Sequence, residues 1–445
     1  MAEQRVCPGR VLLSALGLVM VVLAAVWVSP AAGSSARLAS SGCTVGSWQQ
    51  RAAMPQDAYG AAATSDGTYA YVAGGYSFGA AGNVTTFRRF DPATNTWTTL
   101  APVPDLNDSM ASAVYSPVTN KIYLFGGEEV DTATMSKATR IYDIATNTWS
   151  AGANMPDVRA FMASGYYNGN IYLVGGYNTG NVTPAFGQVW IYNPGTNSFS
   201  TGATMPATLG GAGSGVINGH LYVAGGRDAS NTVDNSLYDY NIAGDSWSQD
   251  ANLPTATNVP GSAVVVQDGR LWIFGGGAPF GPFSATWAYT PSSNTWASGP
   301  SLNVARSFIA GTADGSTIVA AGGYDGATTS TATETLQLTC PTTITVTKHL
   351  VSSAGDPAKF NLRIDGTTYA ANVGDGGTTG AITVTPGQHT VSETAGTNAN
   401  LSQYTTKITC SDGSSGIGTS LIVTVNSGEN VTCTITNTRR IVKVP

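Results

Sequence analysis

Tyr71-Val72-Ala73-Gly74-Gly75 returns along the chain as Tyr123-Leu124-Phe125-Gly126-Gly127, Tyr172-Leu173-Val174-Gly175-Gly176, Tyr222-Val223-Ala224-Gly225-Gly226, Trp272-Ile273-Phe274-Gly275-Gly276 and Val319-Ala320-Ala321-Gly322-Gly323. The first glycines of the six pairs stand 52, 49, 50, 50 and 47 residues apart. Each apolar run reads as a short strand, and the diglycine lets the backbone leave it in conformations a side chain forbids. Downstream of each pair but the last comes an aromatic, Trp97, Trp149, Phe199, Trp247 or Trp296, usually after a polar turn such as Thr94-Asn95-Thr96. Six residues after each aromatic stands Val103, Met155, Met205, Leu253 or Leu302, followed by proline in all but the last. A period of this length marks a stack of supersecondary units that bury their apolar faces only against one another.

The combination of diglycine, aromatic and proline resembles the kelch repeat and covers residues 43–340. The resemblance implies an all-β fold in which each repeat is one four-stranded blade of a six-bladed β-propeller. The aromatic then fills the space between adjacent blades. Six diglycines meet only five downstream aromatics, and the sixth lies at the other end of the chain, as Trp48 with Met54-Pro55 after it. Residues 43–49 are therefore expected to supply the outer strand of the sixth blade and close the ring.

That closure bears on the cysteines. Cys7 falls in an N-terminal segment, 1–36, with Arg5 and Arg10 flanking its start, an apolar run from Val11 to Val28 and the small residues Ser29-Pro30-Ala31-Ala32-Gly33. Such a segment reads as a signal peptide or an N-terminal membrane anchor, which puts the folded part outside the membrane, secreted or at the cell surface. Cys43, Cys340, Cys410 and Cys433 remain, an even number with three possible connectivities in an exported chain. Ring closure brings Cys43 beside Cys340 and leaves Cys410 for Cys433.

The fifty-residue pattern stops after Pro341, and residues 342–440 carry alternating strands with Gly/Asp turns, suited to a β-sandwich. Thr345-Val346-Thr347-Lys348, the run Gly387 to Thr394 and Thr434-Ile435-Thr436-Asn437-Thr438 resemble the prealbumin-like, collagen-adhesin B-type domains of bacterial surface proteins. In that family these positions can form a Lys–Asn isopeptide cross-link assisted by the Glu. The resemblance implies attack of Lys348 on the Asn437 amide with Glu393 shuttling the proton, and a role as stalk or spacer.

The 445 residues include 54 glycines, three histidines and only 10% charged side chains, with a net charge of −6. Average domains carry about 25% charged residues. The negative balance excludes nucleic acid as a main partner, which would need a basic stripe. His220 lies in the repeats and His349 and His389 beyond them, so the two-His site of the copper radical oxidases found among secreted kelch proteins has no ligands here. The Ser-x-Asp-x-Gly-x-Thr-Trp turns of sialidase propellers are missing as well. No cofactor or metal is expected, and the chain reads as a monomer.

In a four-stranded blade the a–b and c–d turns emerge on one propeller face; here they are Asp-Gly, Asn-Gly and Thr-Asn sequences, read as turn chemistry and nothing more. The b–c and d–a loops emerge on the other face and bring Asp57, Tyr59, Tyr76, Phe78, Asn107, Asp108, Glu128, Arg159, Phe161, Tyr177, Arg227, Phe280, Arg306, Phe308 and Tyr324 around the channel mouth. Aromatics with Arg, Asp and Asn on a rigid scaffold suit carbohydrate or peptide recognition. Arg159 and Arg306 share one repeat position, which also suits a brace between blades. The expected function is extracellular binding or adhesion without catalysis. The alternative is a sugar mutarotase of the kelch type, with Asp57, Asp108, Glu128 and Arg159 recruited for acid–base work. Asn83, Asn107, Asn181, Asn400 and Asn430 match the glycosylation acceptor pattern, which carries little weight in a chain with a bacterial-type module.

Overall fold

The computed structural model describes residues 43–106, 108–179, 184–257, 263–278, 281–351, 356–426 and 428–440. The 1–36 segment, Asn107 and Phe280 lie outside the described residues. The chain divides into two compact units, Val45–Leu338 and the residues from Thr339 onward together with 43–44.

The first unit is a β-propeller. Among the described residues it holds six four-stranded antiparallel sheets, each with its strands a to d in order from the axis outward. The a strands are Ala62–Ser65, Ser112–Ser116, Ala163–Tyr167, Gly213–Ile217, Val264–Gln267 and Ala310–Asp314, and each neighbours the next, the last returning to the first. The sixth sheet takes its outer strand, Thr44–Gln50, from the N-terminal side of the repeats, paired with Thr333–Thr339. The sulfurs of Cys43 and Cys340 are 2.08 Å apart at the end of this strand pair. The a strands carry Ala, Ser and Gly because they converge at the axis. A Cβ on Gly165 would lie 2.6 Å from Val216, and one on Gly215 2.5 Å from Val266. The b strands are buried on both faces between blades and read as continuous apolar runs, Ile122 to Phe125 in the second blade being at most 2% exposed. Just past that strand Gly126 and Gly127 adopt φ of 63° and 108°, and a Cβ on Gly126 would strike the Arg159 carbonyl.

The c–d turns do more than reverse the chain, which corrects the reading of this face as turn chemistry alone. Asn95, Asn147, Asn197, Asp245 and Asn294 occupy one repeat position with φ between 44° and 56°. Each turns a side-chain oxygen onto the connection that enters its blade. The backbone N–H groups of Ala52, Ala101, Ala153, Ala203 and Ala251 donate to them over 2.6–2.9 Å. The aromatic two residues on completes the clamp: Trp97, Trp149, Trp247 and Trp296 donate their indole N–H to the carbonyls of Ala52, Ala101, Ala203 and Ala251. Trp48 does the same for Pro300 at 3.0 Å. Phe199 has no N–H to give, so the Ala153 carbonyl lacks this bond.

The second unit has a five-stranded sheet and a four-stranded sheet around one core that includes Ile344, Val346, Leu362, Val391, Ile408 and Val423. In the five-stranded sheet the first strand, Thr343–Val351, runs parallel to the last, Asn430–Arg439. Cys410 and Cys433 face each other across two neighbouring strands, with sulfurs 2.04 Å apart.

Candidate functional site

The b–c and d–a loops of the propeller meet through backbone pairing. Among the described residues, the residue after five of the six diglycines bridges to the segment that leads into the same blade: Tyr76 to Tyr59, Glu128 to Ser109, Tyr177 to Ala160, Arg227 to Gly210 and Tyr324 to Ser307. One residue further along each d–a segment a second register runs from blade to blade. Gly60 N–H donates to Phe308 O, Met110 to Gly60, Phe161 to Met110 and Gly211 to Phe161, over 2.7–3.0 Å. All five residues adopt φ between 55° and 66°, a conformation that costs Met110, Phe161 and Phe308 about 1–2 kcal/mol each. These four bonds link the entering segments of five blades in succession around the loop face. A cavity of about 270 Å³ is lined by residues of the a strands, Thr64, Ser65, Tyr115, Ser164, Ser214 and Thr312 among them.

The sequence-selected side chains separate into two groups. Tyr59, Tyr76, Phe78, Phe308 and Tyr324 come together as one aromatic cluster with ring centroids 5.5–6.5 Å apart. Tyr59 is its buried centre, and Tyr76, Phe78, Phe308 and Tyr324 are half-buried around it. Phe161 is half-buried too and packs on Tyr177 at 5.5 Å. Arg227 is half-buried, its guanidinium donating to Asn231 Oδ1 at 2.8 Å.

The other group is structural, which corrects the sequence reading of a single ligand-facing ring. Tyr177 is 1% exposed and its hydroxyl donates to the carbonyls of Gly210 and Arg227. Its ring fills the space a Gly210 side chain would need. Arg306 is fully buried and bridges blades, donating to Glu334 Oε1 at 2.7 Å and to the carbonyls of Gly322 and Ala332. Arg159 is 2% exposed, its guanidinium over the rings of Phe186 and Trp190 at 3.7 and 4.6 Å. Glu128 is buried. Asp108 is also buried, and burial pushes its carboxyl up to about 8; one of its oxygens has no hydrogen-bond partner. Asp57 accepts from Ser77 Oγ at 2.9 Å, from Gly79 N–H and from Thr329 Oγ1, which fixes the loop below Phe78.

Two residues that shape this face escaped the sequence reading. Asn83 donates to the carbonyls of Leu106 and Glu128, both at 2.7 Å, and accepts from Val130 N–H at 3.0 Å, so its amide holds the first and second b–c loops together and is not a free glycan acceptor. Asp131 accepts from the Tyr76 hydroxyl at 3.1 Å across the same junction. The sequence marked Asn83 only as a glycosylation-acceptor match, and the only signal at Asp131 was its position within a loop of the repeat.

In the second unit Lys348, Glu393 and Asn437 are buried to 1%, 3% and 0% exposure. Lys348 and Asn437 come from the parallel strand pair, where Lys348 stands opposite Ile435 and Asn437 opposite Leu350. Glu393 comes from the facing sheet. Lys348 Nζ lies 2.6 Å from Glu393 Oε2 and 4.2 Å from the Phe360 ring centroid, and Thr406 Oγ1 donates to Glu393 Oε1 at 3.3 Å. Burial pushes the Lys348 ammonium down to about 8, against the pull of Glu393. Both amide atoms of Asn437 lack hydrogen-bond partners.

Comparison with known proteins agrees with this architecture. Residues 60–260 match the KLHDC2/KLHL20/DRC7 kelch-repeats domain, and 260–303 match the kelch motif. An F-box/kelch-repeat protein of Arabidopsis thaliana is 40% identical over 79 residues, 18% of this chain and 19% of that protein. Kelch-like protein terF of Aspergillus terreus is 28% identical over 196 residues, 42% of each chain. The chain thus spans less than half the length of these curated relatives. The solved structure of YjhT superposes with a TM-score of 0.55 at 16% identity, covering 64% of this chain and 99% of that one, a likeness of fold. The repeats of this chain form a kelch β-propeller.

Proposed function

We propose that the protein is an exported binding protein whose propeller takes a protein ligand on the b–c and d–a loop face. The aromatic cluster around Tyr59 carries the reading: four half-buried rings held by paired loops over a closed scaffold offer rigid apolar area with little ordering cost on binding. The kelch-repeat match supports a protein ligand, and the 1–36 segment supports export. The mutarotase alternative draws on Asp57, Asp108, Glu128 and Arg159, three of them buried and Asp57 tied into its loop. Panning the full chain against a random-peptide display library tests the proposal. The expected result is enriched peptides whose binding is lost in Phe78→Ser and kept in Tyr167→Ser on the opposite face. Loss only in Tyr167→Ser removes the loop face from the account.

The second unit supports its own reading, as a stalk locked by a Lys348–Asn437 isopeptide bond. The observation is the pair of unpartnered Asn437 amide atoms buried with Lys348 and Glu393, because buried amides without partners are expensive. In this reaction neutral Lys348 Nζ attacks Asn437 Cγ, a C–N bond forms, and the amide nitrogen leaves as ammonia after Glu393 relays a proton to it. Intact mass tests it: wild type is short by one ammonia, and Glu393→Gln carries the full mass. A full mass for wild type refutes the cross-link.

A further inference from the structure

Three half-buried rings of the cluster form a row bent at Phe78, with Tyr324 to Phe78 at 6.0 Å and Phe78 to Tyr76 at 5.9 Å. Each end of the row has an exposed carboxylate beside it, by contact at Tyr76 and by chain neighbourhood at Tyr324. Asp131 accepts from the Tyr76 hydroxyl at 3.1 Å, and Asp325 follows Tyr324 in the chain. Asp325 is held by the N–H groups of Ala327 and Thr328 at 2.9 and 2.8 Å, which keep its carboxyl below the usual range and therefore ionised. The wider face has the same sign. Its b–c and d–a loops (74–86, 126–138, 175–188, 225–236, 275–285, 322–332; 50–61, 100–111, 152–162, 203–212, 251–263, 299–309) carry ten carboxylates and five cations. Two of those cations, Arg159 and Arg306, are buried, as are two of the carboxyl groups, Asp108 and Glu128, so eight carboxylates and three cations are left near solvent.

Resting on the loop-face reading above, we infer that this row is a docking strip for an extended peptide bearing two basic side chains. Aromatic faces attract guanidinium and ammonium groups, most strongly where water is partly excluded, and a carboxylate at the ring edge adds a charge-assisted hydrogen bond. Tyr59 sits 5.5 Å from Tyr76, 6.0 Å from Phe78 and 6.5 Å from Tyr324, which holds the outer centroids of the row within about 10 Å, the reach of roughly three extended residues. Two arginines at alternate positions of such a peptide lie on one side and stack along the row, with their guanidinium groups reaching Asp131 and Asp325.

The test uses the full chain and fluorescein-labelled Gly-Arg-Gly-Arg-Gly, with Gly-Glu-Gly-Glu-Gly, Gly-Gln-Gly-Gln-Gly and maltohexaose as comparison ligands, read by anisotropy and calorimetry. The arginine peptide is expected to bind, to weaken as salt is raised, and to lose affinity by about tenfold or more in the Asp131→Asn/Asp325→Asn double variant. Both positions are exposed, and an unchanged melting temperature of the double variant shows that the fold is intact. Binding of the glutamate, glutamine or sugar ligand as tightly as the arginine peptide overturns the cationic assignment. If that binding is lost in Phe78→Ser, the loop face survives with a different ligand. Arginine-peptide binding that is indifferent to both variants overturns the strip and the loop face together, and no binding by any ligand overturns the strip.

Discussion

Replacing Asn147 tests how the blades are held together. Its side-chain oxygen accepts from Ala101 N–H at 2.9 Å and from the Tyr142 hydroxyl at 2.7 Å, and its backbone sits at φ 55°. Asn147→Gly keeps the backbone conformation and deletes both bonds. The Ala101 amide is near solvent and its bond is worth about 1 kcal/mol, whereas the Tyr142 hydroxyl is on a residue only 1% exposed and leaving it unpaired costs about 2 kcal/mol. The expected loss is about 3 kcal/mol. Asn147→Ala adds a Cβ in the left-handed region and should lose about 1 kcal/mol more. Asn147→Asp keeps the acceptor, as Asp245 does at the same position of the fourth blade, where Ala203 N–H and the Tyr240 hydroxyl donate to it. It should stay within about 0.5 kcal/mol of wild type, the usual range for surface changes. Urea unfolding followed by tryptophan fluorescence reads the series, with the slope checked for constancy. A Gly variant as stable as wild type, or an Asp variant as weak as Gly, refutes the clamp.

Phe199→Trp restores the indole that four other blades direct to the entering alanine carbonyl, and should add about 0.5–1.5 kcal/mol by bonding Ala153 O; a melting temperature at or below wild type counts against it. Asp108 titrates at about 8 in the folded chain against 3.8 for an ordinary aspartate, because it is desolvated. Between those values the folded state holds a proton that the unfolded state has released, so the stability carried by this group is present below about pH 4 and is lost as pH rises through about 8. Asp108→Asn should therefore gain on wild type across that window, and parallel pH profiles of the two proteins would contradict the assignment.

The repeat frame was legible because it recurs. Six diglycines and the aromatics in register announce blades even where single positions change, as Phe199 does for Trp. The propeller is therefore readable from the repeat pattern alone. Side-chain roles in the loops are not. A strand aims alternate residues at opposite faces, so its pattern shows what is buried, but loops have no such period. Tyr76 and Tyr177 follow their diglycines identically, yet Tyr76 is half-buried at the face and Tyr177 is sealed under it. What decides between them is a distant partner: Gly210 leaves room for the Tyr177 ring. The c–d asparagines were visible as turn formers, but their bonds to Ala52 or Ala101 span more than forty residues and nothing local signals them. Asn83 and Asp131 were missed for the same reason, since each acts across a junction between blades. In the second unit the alternation of Thr343–Val351 places Lys348 inward, so its burial follows from the pattern, whereas the unpartnered state of Asn437 required the packed core.

The loop face as the binding surface is tested most directly by hydrogen–deuterium exchange of the full chain with and without a peptide selected by panning. The account predicts protection concentrated in 76–83, 128–135 and 324–329, with the a–b and c–d turns unchanged. Protection confined to those turns, or to the second unit, would contradict it.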